Sequence, residues 1–437
     1  MKHFFTTFFS FLVILSAGCA SAENPADWVK EDLIVFKKNG GWCWYQDERA
    51  IADGDALLIG SVSSPAGDIQ LTQYHIETGK TRHVVLHAGL QSDDHNVPAL
   101  LTLPNGRYLA MYSTHGSDRL MRWRLSAKPG DALHWEEEKS LDVGAGATYA
   151  NVFQLAAEGN RVYCFHRGRG WDPNYLISDD QGRTFTYGGR LLRNKAEKPR
   201  KRPYVKYASN NQDAIHFVTT EGHPQILGET SIYHGYYKNG KIHRSDGSVV
   251  GALGSEKIYP TSLTKIFAGN KSKEAWTIDL HLDAKGRPYT VFSVHHSNAD
   301  HRYYYARWDG KAWRVHEIAY GGNHLYDGQY HYTGLVALHP HNPHELFIST
   351  DVDPKTGELL ISQADGKRHY EIFRGITKNN GKTWRWTPLT QNSTVDNIRP
   401  IIPIREAEDT CVLWLRGAYT TYQNYRLDVV GMKYRSF

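Results

Sequence analysis

Apolar positions along this chain come in short runs broken by Gly, Asn and Asp, with little of the three-to-four spacing that marks an amphipathic helix. The plainest unit is an apolar stretch over 95–103, a tight turn at Pro104-Asn105-Gly106-Arg107, and a second apolar stretch ending on the polar His115. The same plan recurs at 149–167, 202–223, 277–296, 332–351 and 397–416, and an N-terminal copy runs from Gln46 to Ser61. These seven hairpins start near 46, 95, 149, 202, 278, 332 and 399. A repeat of roughly fifty residues, holding four short strands, is the size of one propeller blade. The expectation is an all-β, seven-bladed β-propeller forming one domain over residues 23–437. Residues 31–36 are expected to add an outer strand to the last blade and close the ring, which removes exposed sheet edges.

Two further segments fit this plan. Ser178-Asp179-Asp180-Gln181-Gly182-Arg183-Thr184-Phe185 matches the Asp-box pattern, and Thr377-Lys378-Asn379-Asn380-Gly381-Lys382-Thr383-Trp384 is a weaker copy. Such turns join the third and fourth strands of a blade and are read as structural.

The N-terminus changes the picture by adding a compartment. Lys2 and His3 precede an apolar run over 4–15, and Ala20-Ser21-Ala22 fits a cleavage site, so 1–22 reads as a signal peptide. A lipoprotein signal ending at Cys19 is the rival reading. Either implies export: secreted, periplasmic, or anchored to the outer membrane. Cys43, Cys164 and Cys411 then remain, an odd count that argues against a disulfide framework while allowing one bridge. The formal charge of +5, with acids and bases interspersed, implies no nucleic-acid partner. A locally basic cleft suited to a polyanion is compatible with it. No protein partner is implied, and a monomer is expected.

Hairpin geometry then concentrates the chemistry. The start of each first strand and the end of each second meet at one face of the disk, nearest the axis. That face collects Gln46, Asp47, His95, Asn96, His115, Asn151, His166, Arg167, Arg202, Tyr204, His223, Asp279, His295, His296, Tyr332, Asp351, Asn397, Arg399 and Arg416. Polar residues at strand ends often only satisfy backbone groups. The recurrence of His and Arg in one place favours a site. His95 and His115 can reach one ligand and exchange protons near neutral pH, and Arg202 can grip a carboxylate bidentately. His281, His295, His296 and His301 are candidate metal ligands without a compact ligand spacing, so no metal set is assigned.

Gly41-Trp42-Cys43-Trp44-Tyr45-Gln46-Asp47-Glu48-Arg49-Ala50, Asp94-His95-Asn96, Ser113-Thr114-His115-Gly116, Arg202-Pro203-Tyr204-Val205-Lys206-Tyr207 and Asn397-Ile398-Arg399-Pro400 resemble the BNR-repeat propellers that include secreted ulvan lyases. The resemblance implies a polysaccharide lyase acting by β-elimination at a uronic acid of an anionic, sulfated, rhamnose-containing polysaccharide. It pairs His95 with His115 and makes Arg202 the carboxylate neutraliser. Tyr204 is the first choice for a catalytic tyrosine, with Tyr233 as second candidate. Asn96, His166, Arg167, His223, Tyr233 and Arg399 are expected to bind substrate, although His166 stands where a tyrosine is expected. The chemistry requires no cofactor, and the resemblance admits a divalent cation in a structural role. A sialidase would need an early Arg-Ile-Pro motif, which Arg49-Ala50-Ile51 does not reproduce. The other readings are a glycosidase or lyase on terminal rhamnose–glucuronate linkages and a non-catalytic carbohydrate-binding propeller.

Overall fold

A computed structural model describes residue 1 and residues 26–193, 202–405 and 409–435. The expected signal peptide, residues 1–22, and with it Cys19 lie outside the described residues, apart from Met1. Among the described residues, seven small antiparallel sheets form the blades. Their first strands are Ala50–Asp53, Ala99–Thr102, Thr148–Leu155, Val205–Ser209, Glu274–Leu282, Val336–Leu338 and Asp396–Ile401, and these pack against one another in order around the axis. Each expected hairpin is present, and the blades are numbered here in that order.

Blade 7 closes the ring as expected, because Ile34–Lys37 pairs with Asn424–Arg435 as its outermost strand. Blade 4 is larger than its neighbours. Its third strand, Ile232–Lys238, pairs with Lys241–Arg244 along one half and Thr264–Phe267 along the other. This insertion explains the long interval before blade 5.

The apolar runs are nearly continuous because middle strands are buried on both faces. In Arg161–Arg167 of blade 3, Tyr163 and Phe165 join the cluster shared with blade 4. Val162 and Cys164 join the one shared with blade 2. The period-two alternation of a strand thus builds two inter-blade cores at once. Among the described residues Cys43, Cys164 and Cys411 are buried, and no disulfide joins them.

Both Asp boxes are turns between third and fourth strands. Asp180 accepts from the Thr184 amide at 2.9 Å and the Thr184 hydroxyl at 2.6 Å, while Phe185 packs edge-on against Trp123 of blade 2. Asn379 takes the same place in blade 6, accepting from the Thr383 amide at 2.9 Å.

Candidate functional site

The first element of the site is a plug. Residues 42–46 are all buried, and the segment threads the inner ends of the blades. A buried backbone must find partners for its N–H and C=O groups, and several blades supply them. The Cys43 amide donates to the Asp94 carbonyl at 2.9 Å. Asn151 and Lys206 donate to the Tyr45 and Trp44 carbonyls at 3.0 and 2.6 Å. The Trp44 and Trp42 indoles donate to the Thr277 and Arg399 carbonyls at 3.1 and 3.2 Å. Lys206, itself fully buried, also pairs with Asp47. The plug turns the channel into a floor of aromatic rings: Trp44 lies 5.1 Å from Trp276 and 4.9 Å from Tyr332, and Tyr45 lies 5.0 Å from Tyr204.

Above this floor, on the blade 2 side, His95 and His115 stack with centroids 3.9 Å apart and planes 9° from parallel. Asp93 joins them, its two oxygens 2.7 Å from His95 Nδ1 and 3.0 Å from His115 Nδ1. Two imidazolium rings this close cannot both carry charge cheaply. Burial opposes charging His95, yet the negative potential around it, including Asp93 and Asp94, holds its pKa well above the ordinary value. Burial and the His95 charge push His115 down to about 4, partly offset by Asp93. The pair therefore carries one positive charge at neutral pH, on His95. His95 is 2 % exposed and its Nε2 faces the Tyr332 hydroxyl at 3.5 Å, whereas the His115 side chain is 19 % exposed. Tyr422, at the tip of the blade 7 hairpin, stands edge-on to both imidazoles.

On the blade 3 and 4 side, the Arg167 guanidinium lies 4.7 Å from the Tyr149 ring centre and 5.4 Å from that of Trp171. Arg202 lies 5.3 Å from Trp171 and 5.6 Å from Tyr204. Burial opposes ionising Tyr204, but Arg202 and Arg167 outweigh it and lower its pKa. Tyr149, Tyr332 and Tyr419 are all raised, chiefly by burial. Tyr149 bridges the two sides, 6.1 Å from the His115 ring and 6.1 Å from the Tyr204 ring. His223 packs against Tyr204 and Trp276 and is kept neutral, its pKa lowered to about 3 by burial and then by Arg202.

The structure thus brings together His95, His115, Arg167, Arg202, Tyr204 and His223. His166 lines a small cavity with Tyr149, Arg167 and Tyr204, its pKa lowered to about 4 by burial.

Three expected substrate-binding residues are placed differently. Arg399 is 1 % exposed beneath the floor, donating to the Trp42 carbonyl and the Tyr419 hydroxyl and pairing with Asp94. Asn96 is buried and donates to the Gln91 carbonyl at 3.0 Å, and Gln91 in turn receives the His115 amide at 2.8 Å. Tyr233 belongs to the wall of blade 4, where its hydroxyl donates to Glu221 at 2.6 Å. A strand-end position does not reveal whether a side chain turns toward the mouth or into the packing between blades.

Sequence reasoning also missed residues. Asp93 sits two positions before His95 and was legible as an acid beside a paired histidine. Trp171, 41 % exposed between two guanidinium groups, follows a strand end and carried no motif. Asp279 was expected at the mouth, but the first strand of blade 5 starts at Glu274, so Asp279 lies further along and accepts from the Leu338 amide.

Among solved structures, the chain is similar to a PL25 ulvan lyase bound to -[GlcA(1-4)Rha3S]-, at 16 % identity and a TM-score of 0.67, covering 91 % of this chain and 94 % of that one. It is also similar to the polysaccharide lyase Uly1, at 9 % identity and a TM-score of 0.60, over 93 % and 100 % of the two chains. At these identities the likeness is one of fold. No curated protein sequence matches the chain. The model of the BNR repeat-containing family matches residues 44–320, more than half of the sequence, and the chain belongs to that family.

Proposed function

We propose that this protein is an exported polysaccharide lyase that cleaves ulvan by β-elimination at the uronic acid. The observation that carries the proposal is the pairing, across one mouth, of a neutral, part-exposed His115 with Tyr204 beside two guanidinium groups.

The chemistry follows from the charges. The C5 proton of a uronate becomes removable when its carboxylate is neutralised and the enediolate stabilised. Arg202, with Arg167 beside it, supplies that positive charge. His115 donates its Nδ1–H to Asp93, which leaves the Nε2 lone pair to take the proton; the new imidazolium is stabilised by the same carboxylate. The C4–O4 bond breaks as the C4=C5 double bond forms, and the Tyr204 hydroxyl protonates the departing O4. The phenolate left behind is stabilised by Arg202 and Arg167. Protons and charges balance, and free His115 and Tyr204 are regenerated by solvent. Trp171 and Tyr422 offer ring faces to the sugars on either side.

The test is incubation of the mature chain with ulvan while following the ultraviolet absorbance of the unsaturated uronate. Rising absorbance with new reducing ends is expected. Reducing ends without absorbance would make the protein a hydrolase, and binding without either signal would make it a carbohydrate-binding propeller. Activity on short rhamnose–glucuronate ends but not on ulvan would shift the substrate within the lyase reading.

A further inference from the structure

We propose that a groove along the outer edge of blade 6 is a second binding site for the anionic polysaccharide, separate from the mouth. The nature of the polymer rests on the lyase reading. The roof of the groove is the connection 351–370 between the second and third strands, Glu345–Thr350 and Glu371–Ile376. The same connection has two residues in blades 5 and 7, 298–299 and 422–423. Long connections of this kind in a compact domain usually carry function.

This one is held in shape. The Gly357 amide donates to the Asp353 carbonyl at 2.9 Å and the Gly366 amide to the Ser362 carbonyl at 2.8 Å, closing two tight turns. The Tyr320 amide of blade 5 donates to the Pro354 carbonyl at 3.0 Å, and Arg368 pairs with Asp351 at 2.6 Å. A roof already fixed costs little further ordering when a ligand binds.

Between the roof and the fourth strand, Arg385–Pro388, lies a cleft of about 750 Å³, within the range of ligand pockets. Strand alternation turns Trp384, Trp386 and Pro388 to one side, and all three line the cleft. The two indoles are 6.0 Å apart and 19° from parallel. Gly375 makes room for them, because a Cβ there would collide with the Trp386 ring. Leu359 and Ile361 of the roof also line the groove, left 58 % and 51 % exposed by folding.

Charge then selects the occupant. Lys355 and Arg385 border the cleft, and among the described residues neither pairs with a carboxylate. The acids beside them are engaged within the protein. Glu371 accepts from the Ser393 amide and hydroxyl, both at 2.8 Å, and Asp353 from the Lys355 and Thr356 amides at 2.9 and 2.8 Å. An aromatic strip with apolar walls suits the C–H face of a sugar ring, and unpaired cations beside it suit carboxylate and sulfate. A second copy of the chain is a poorer fit, since two exposed apolar side chains fall far short of the roughly 800 Å² per partner of a stable interface. Second strands end at the mouth face, so the groove runs from that face along the fourth strand. A polymer held at both places gains avidity without any new contact to the reacting sugar.

The test compares Trp386→Ala and the double variant Lys355→Glu/Arg385→Glu with their parent. Retardation in native gels containing ulvan reports polymer binding, in a His115→Ala background that leaves the polymer intact. Elimination of an ulvan tetrasaccharide, with His115 present, reports the mouth. Polymer affinity should fall by about tenfold in both variants, with the tetrasaccharide rate unchanged. Circular dichroism checks the fold, and the double variant, altered at exposed side chains, decides the matter if Trp386→Ala unfolds. Retardation by ulvan equal to the parent's in the double variant would overturn the proposal, as would a parent that ulvan does not retard. A tetrasaccharide rate that falls in step with retardation would also overturn it, and so would a change of oligomeric state in sedimentation, which would make the groove a protein interface. Retardation lost in the variants of a chain that yields no absorbance would keep the site and strike the lyase reading instead.

Discussion

Arg202 and Arg399 both stand near the mouth-facing end of an inner strand, yet they meet opposite surroundings. Arg202 is part-exposed beside Trp171 and Tyr204, where its charge lowers the pKa of a phenol and can meet an incoming carboxylate. Arg399 is enclosed beneath the floor, where the plug carbonyl, the Tyr419 hydroxyl and Asp94 meet its charge. Asp94 in turn lies 2.8 Å from His95 Nδ1, so Arg399 meets the histidine pair through that carboxylate. Chemical type is the same in both places. Solvent access divides the roles.

That contrast can be broken by substitution. Arg202→Ala and His115→Ala should each cut the rate of absorbance gain by about 10²–10⁴-fold, the range of one general base or one charge-stabilising group. Their unfolding midpoints should stay close to wild type. Wild-type rates in either variant would remove that residue from the mechanism. Arg399→Met should do the reverse. Removing one partner of a buried pair costs about 3–5 kcal/mol, because Asp94 is left charged and enclosed. Denaturant unfolding would reveal it, and an unchanged midpoint would contradict the scaffold role.

Asp93→Asn probes the link between the two halves. It removes the charge that keeps the proton on His95 and orients His115, and a rate loss of about a hundredfold is expected without loss of fold. A pH–rate profile checks the cause: the wild-type acid limb should lie near pH 4, where His115 gains its proton, and the variant's limb should move. A rate loss with an unmoved limb would point to geometry alone.

The smallest effect is on stability with pH. His166, His216, His223 and His301 are kept neutral chiefly by burial, with pKa values of about 4, 3, 3 and 3 against 6.5 when exposed. The unfolded chain therefore binds protons first on acidification. The stability these groups contribute is full above pH 6.5 and is lost as pH falls from there toward about 3. The thermal midpoint should drop between pH 7 and pH 5. A midpoint that rises over that interval would show that other groups dominate, such as His369, whose pKa Asp396 and then Asp365 raise to about 9 against the opposing effect of burial.

Legibility differed between fold and site. Hairpins with Gly and Asn turns are local, so all seven stand in the linear pattern, and so does the strand at 34–37 that closes the ring. His95 and His115 were legible because they flank the first hairpin of blade 2 at the same face, His95 in the turn Asp94–Asn96 before Ala99–Thr102 and His115 just after Tyr108–Tyr112. Trp171 and Tyr422 were not, because loops and hairpin tips carry no periodicity. Blade 5 shows the cost of a register error: starting its strand near 278 put Asp279 at the mouth and hid Glu274, the residue that faces His295.

What the linear pattern determined is the architecture and the face that carries the chemistry, because strand alternation and turn residues act over a few neighbours. The tertiary structure decided which residues share a proton, which arginine meets solvent, and that Glu274, His295 and His331 converge. Those outcomes depend on packing within and between blades and on the plug at 42–46, contacts between residues tens to hundreds of positions apart. Burial and counter-charge are set by such contacts, and they turn a rim of similar polar residues into distinct chemical roles.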